Sequence, residues 1–143
     1  MIRTALVVTG LALGLTAVIA QSDPIAERRN TMKAVGAATR DGAAMAKGEA
    51  AFDTGKAKAI AKVYSDAAKK MPGLYPDTSK SGGDTTASPK VWEDQAGFKA
   101  AFAKFEKDAG AAGAAADLDG FRAAFGVATK SCGTCHEVYR IKK

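Results

Sequence analysis

Near the end of this 143-residue chain, Cys132-Gly133-Thr134-Cys135-His136 puts two thiols and an imidazole within five residues. Residues three and four apart face the same side of a helix. On a helix, then, Cys132, Cys135 and His136 offer two sulfurs and a nitrogen to one surface. The chain has no other cysteine and no other histidine. A disulfide between such close neighbours staples no distant parts together, so the thiols serve a local purpose.

The spacing is the C-x-x-C-H signature of covalent heme attachment. The thiols add to the two vinyl groups, and the imidazole reaches the iron from the same side. Two competing readings fit poorly. A thioredoxin-like pair wants a βαβ setting, and no strand pattern surrounds this one. A zinc site wants four ligands, and one such pair plus one histidine falls short. The expected cofactor is one heme c per chain, tethered by Cys132 and Cys135, with His136 as an axial iron ligand.

With a single histidine, bis-histidine ligation within one chain is impossible. Methionine is the next candidate for the opposite face of the iron, and past Met1 the chain has Met32, Met45 and Met71. Met32 lies on the inward seam of the first helical segment. Met45 lies about 220° around the same helix, and Met71 ends the second segment. A seam methionine ordinarily packs, so spacing leaves packing and ligation both open for Met32. Arg28 is the other anomaly, since a charge on a seam is costly unless paired. A heme propionate would pair with it bidentately; alternatively the side chain snorkels to water. Arg29 stands beside it as a second candidate. Arg140, four residues after His136, lies on the ligand's side of the helix, where a cation also suits the helix dipole.

Four helical segments must position these groups. The first opens at Asp23-Pro24, follows Ile25, Arg28, Met32, Val35 and Thr39, and ends near Lys47-Gly48. The second starts near Asp53 or Thr54 and follows Ala57, Ile60, Tyr64, Ala67 and Met71 until Pro72-Gly73. After a connection rich in Pro, Gly, Ser, Thr and Asp, the third opens at Ser88-Pro89. It carries Val91, Trp92, Phe98, Phe102, Phe105 and Ala109, and the Gly110 to Ala116 stretch closes it. The fourth begins around Asp117 to Asp119 and runs Leu118, Phe121, Phe125, Ala128, Cys132, Cys135, Tyr139. No segment alternates with period two. The expected fold is all-α, an antiparallel four-helix bundle. Its alanine-rich seam is thin in apolar area, and a large cofactor would fill it.

Residues 1–20 read as a cleaved signal peptide: Arg3, an apolar run from Ala5 to Ile19, and small residues before Gln21. The run is short for a membrane span, which takes about twenty residues. The cytochrome domain would then be 21–143, in the periplasm, with no membrane attachment after cleavage. Its formal charge falls from +6 to +5 when Arg3 is removed. A mild basic excess favours partners acidic at the docking surface. With no Lys/Arg block and no base-stacking aromatic pattern, nucleic acid is excluded as a partner.

Together these features resemble the class II c-type cytochromes, the cytochrome c-prime group of four-helix-bundle heme proteins. The resemblance is carried by Asp23-Pro24-Ile25-Ala26-Glu27-Arg28, Gly82-Gly83-Asp84, Pro89-Lys90-Val91-Trp92 and Cys132 to Lys143. The attachment motif lies near the C-terminus, whereas ordinary small cytochromes c carry it near the N-terminus. The resemblance implies a bacterial periplasmic heme protein from a group with many homodimers. It implies that Met32 is the distal-face residue. In five-coordinate members that residue is an apolar side chain shielding an open iron face, and some of these carry an unbound methionine. In the low-spin subgroup it is a methionine bound to iron. The resemblance also implies a propionate role for Arg28, a proximal-face role for Arg140, and heme contacts just before Gly82. There, Lys80 and Ser81 depart from the usual Thr-Glu-like pair.

The functional expectation is a periplasmic electron carrier, not an enzyme, with iron cycling between ferric and ferrous states under His/Met ligation. It would serve periplasmic redox partner proteins. The alternative is a five-coordinate protein that binds nitric oxide or carbon monoxide at an open distal face.

Overall fold

A computed structural model describes residues 23–141 of the chain. The expected signal peptide, 1–20, lies outside the described residues. Helix α1 spans Pro24–Lys47. Asp23 caps it by accepting from the Ile25 N–H at 2.9 Å, and Pro24 fills the first turn, where no N–H is needed. It stops at Gly48, whose φ of 79° favours glycine and lets its N–H reach back to the Ala44 and Met45 carbonyls. Helix α2, Thr54–Lys70, is capped by Asp53 through the Lys56 N–H at 2.6 Å. It gives way to a 3₁₀ turn over Met71–Leu74, where Pro72 cannot continue the α-helical hydrogen bonding.

The third helix is not continuous. A single turn, α3 (Lys90–Glu93), is followed by α4 (Gln95–Gly113). Asp94 makes the break, with φ −131° and ψ 63°. Its Oδ1 accepts from the Gly97 N–H at 3.0 Å, which starts α4 afresh, and its Oδ2 accepts from the Tyr139 hydroxyl at 3.0 Å. The apolar period runs across the break, so periodicity alone hides it. Helix α5, Leu118–Tyr139, begins at an Asp117 cap on the Gly120 N–H, 2.8 Å away.

The four long helices α1, α2, α4 and α5 form the bundle. Helix α4 packs against α2 and α5, and α1 packs on α2 and α5. The expected seam is buried at Val35 on α1, Ile60 and Tyr64 on α2, Phe98, Phe102 and Phe105 on α4, and Phe121 and Phe125 on α5, whereas Ile25, Met32 and Thr39 on α1 and Cys132, Cys135 and Tyr139 on α5 are half-buried. Among the described residues, eight of the nineteen buried hydrophobics are alanine, so helices must approach closely to exclude water. They do so at Gly42, where a Cβ would collide with the Phe125 ring, and at Gly113, where it would meet Ala61.

The long connection is a strap with local order. After a second 3₁₀ turn at Asp77–Ser79, Gly82 and Gly83 take φ values of 94° and 51° and turn the chain. Residues 86–88 then run beside the end of α5. Ala87 bridges Arg140, the Ile141 N–H donates to Thr86 O at 2.8 Å, and the Ser88 N–H donates to Tyr139 O at 3.0 Å.

Candidate heme site

Cys132, Cys135 and His136 sit on the last two turns of α5, on one wall of a cavity of about 850 Å³. Both thiols are free and half-buried, and the imidazole is exposed. Burial raises the Cys132 pKa. Burial, then the neighbouring Cys132, raises that of Cys135. Partial desolvation, then the nearby Arg140 charge, lowers the His136 pKa, which favours the neutral imidazole that can donate a lone pair.

Helix α1 supplies Met32, Val35, Gly36 and Thr39 to the same cavity, and α4 supplies Phe98, Phe102 and Phe105. Met32 is half-buried. Met71 also lines the cavity, while Met45 does not. Met45 is 1% exposed in the far core, as its angular offset predicts. The one hydroxyl pair near the apolar wall is internally satisfied. Thr39 Oγ1 gives its single proton to Val35 O at 2.8 Å, so the Tyr64 hydroxyl, 2.7 Å away, donates to it.

Arg28 is 6% exposed, which rules out the snorkelling alternative. Its Nη2 donates to Ser79 O at 3.2 Å, and its guanidinium lies 4.3 Å from the Tyr75 ring centroid. Its Nη1 is buried without a hydrogen-bond partner among the described residues. Burial lowers the Arg28 pKa, yet a guanidinium stays charged. A buried cation with an unused donor beside a cavity calls for an anion there.

Arg29 also lines the cavity, but it is exposed and paired with Asp84 at 2.7 Å. Arg140 lines the cavity from just beyond the helix rather than from its face, because α5 ends at Tyr139 and Arg140 is extended and bridged to Ala87 of the strap. Neither Lys80 nor Ser81 lines it. Lys80 pairs with Asp77 and sits over Trp92, and residues 84–87 are the part of the strap that lines the wall. Sequence periodicity did not single out Tyr75, Thr85, Thr86 or Ala87. All four lie in an aperiodic connection.

The family description Cytochrome C' matches residues 23–140. The chain belongs to the cytochrome c' family. It is similar to the cytochrome c' of Rhodopseudomonas palustris, 41% identical over 99% of this chain and 98% of that one. It is also similar to cytochrome c-556 of the same organism, 36% identical over 100% and 99% of the two chains. The solved structure of the Rhodopseudomonas palustris cytochrome c' superposes with a TM-score of 0.81 at 44% identity, covering 86% of this chain and 99% of that one. The four-helix bundle is thus the family's fold.

Proteins of this family bind one covalent heme c per chain. The residues here fit that group. The cavity is in the upper part of the range of small-molecule sites. Its walls hold two half-buried thiols, a neutral imidazole, a thioether, an aromatic and aliphatic lining, and a buried guanidinium with a spare donor.

Proposed function

We propose that this family member is an exported monoheme cytochrome that carries single electrons. A heme bound in the cavity supplies reversible ferric/ferrous exchange. Cys132 and Cys135 hold it by thioether bonds, and His136 gives a nitrogen to the iron. Met32 gives its sulfur from α1, which favours the ferrous state and raises the potential. Arg28 compensates a propionate. The aromatic wall from α4 keeps water from the reacting centre. The carrying observation is that Met32 on α1 and Cys132, Cys135 and His136 on α5 line one cavity.

The same reading places the mature chain, 21–143, in the periplasm; among the described residues no helix is long and apolar enough to cross a membrane. It also fits an acidic redox partner. The exposed side chains lining the cavity are Arg29, Lys33, Asp84, His136 and Arg140. Asp84 is matched by Arg29, which leaves Lys33 and Arg140 to meet carboxylates on an approaching protein.

The optical spectrum of the ferric protein tests the ligation. The expected result is a low-spin spectrum with the weak near-infrared band of methionine–iron bonding. Met32→Ala then becomes high-spin and opens to carbon monoxide, while Met45→Ala and Met71→Ala do not. A wild-type protein that is high-spin and binds carbon monoxide freely would make it a ligand binder, with Met32 a lid over an open site.

A further inference from the structure

Tyr75 is a cavity-wall residue held by several contacts, and no described residue uses its polar atom. Its ring meets Phe98 edge-on at 4.8 Å and Trp92 at 5.9 Å, and its carbonyl accepts from Trp92 Nε1 at 3.0 Å. The Arg28 guanidinium lies over its open face at 4.3 Å. Tyr75 therefore has little freedom to turn away from the cavity it lines. Its hydroxyl makes no hydrogen bond among the described residues, and neither does the neighbouring Arg28 Nη1.

Burial pushes the Tyr75 hydroxyl up to about 12, against the pull of Arg28, so the phenol keeps its proton at physiological pH. Two adjacent groups thus hold donors that no described residue uses, and one of them is buried and carries a fixed positive charge. The ligand chemistry that answers such a pair is an anion with two oxygens, a carboxylate. A neutral ligand would leave the guanidinium uncompensated. A phosphate-sized dianion would want more than one buried cation, and Arg28 is the only charged side chain buried among the described residues.

We propose that the Tyr75 hydroxyl and the Arg28 guanidinium form a two-donor seat for one carboxylate of the bound cofactor, which makes Tyr75 a cofactor-binding residue. The seat rests on the reading of this cavity as the heme site. Each donor offsets negative charge near the iron. Removing one leaves the ferric state better stabilised than before, so the potential falls.

Tyr75→Phe keeps the ring, its edge-on contacts and the face beneath Arg28, and deletes only the O–H. Covalent heme content is measured first, by the alkaline pyridine spectrum, in wild type, Tyr75→Phe, Arg28→Lys and the double variant. The midpoint potential and the resonance Raman propionate bending bands follow. Tyr75→Phe should retain its heme, shift the potential negative and shift the propionate band. Arg28→Lys, which keeps the charge but loses the fork, should shift the same band. The double variant should depart from the sum of the two singles, because both donors serve one carboxylate. A heme-loaded Tyr75→Phe with unchanged potential and band would overturn the seat and leave Tyr75 a platform for Arg28. A wild-type chain without covalent heme would overturn the site reading and the seat with it.

Discussion

The two ends of the bundle are built from the same helices on opposite plans. At one end, the C-terminal half of α1 and the N-terminal half of α5 close on each other. Gly42 admits the Phe125 ring, Phe121 stacks on Phe125 with centroids 5.2 Å apart, Phe52 leans on Phe121 at 5.7 Å, and Met45 fills the remainder. At the other end, the N-terminal half of α1 and the C-terminal half of α5 bound the 850 Å³ cavity, with the thiols, the imidazole and a buried guanidinium in its walls. The first end holds itself together with protein atoms alone. The second is arranged around the cavity, and one of its polar atoms, Arg28 Nη1, is buried without a partner among the described residues. Stability and chemistry are thus divided along the helix axis.

The largest disturbance should come from removing the tether. Cys132→Ser combined with Cys135→Ser should yield a colourless chain whose cavity end loses hydrogen-exchange protection while the Phe121–Phe125 end keeps more of it. Such an apo variant melting as cooperatively and at the same temperature as the holoprotein would show that the cavity end needs no filling.

The two methionines on α1 provide the next contrast. Met45→Ala opens a hole in the closed end and should cost about 2–5 kcal/mol in chemical denaturation, with the heme spectrum unchanged. Met32→Ala should do the reverse, altering the spectrum while costing less, because Met32 is only half-buried. A Met45 variant with a changed spectrum would erase the division between the ends. Smaller again is Gly42→Ala, which crowds Phe125 and should cost about 1–3 kcal/mol without shifting the redox potential.

Much of this arrangement was legible in the residues. The 3.6-residue period found the seams of all four long helices, since each seam faces one core and the caps Asp23, Asp53 and Asp117 stand where helices begin. The C-x-x-C-H spacing and the seam charge at Arg28 directed attention to the cavity end. The break at Asp94 stayed hidden because a capping aspartate and an exposed helical aspartate look alike until Gly97 and Tyr139 are seen bonded to it. Tyr75 stayed hidden for a different reason. Its contacts with Arg28, Trp92 and Phe98 join three parts of the chain, and an aperiodic connection carries no pattern that foretells them.

The smallest expected effect lies at that break. The hydrogen bonds from the Gly97 N–H and the Tyr139 hydroxyl hold the Asp94 carboxyl below the usual carboxylate range. A depressed carboxylate contributes stability that is present above its unfolded value, about 3.9, and is lost as pH falls through the folded one. Asp94→Asn keeps a capping side chain but cannot titrate. Its melting temperature should therefore fall less steeply than that of wild type between about pH 5 and pH 3. Parallel curves would mean that the Asp94 charge contributes nothing to joining α4 and α5.

The division between the ends turns on what Cys132 and Cys135 carry. Peptide mapping of the protein isolated from its native compartment answers that directly. One heme per chain is expected on the peptide containing Cys132 to His136, retained through acid–acetone extraction, with neither sulfur open to alkylation. A mature chain free of heme, with both thiols alkylated, would contradict it.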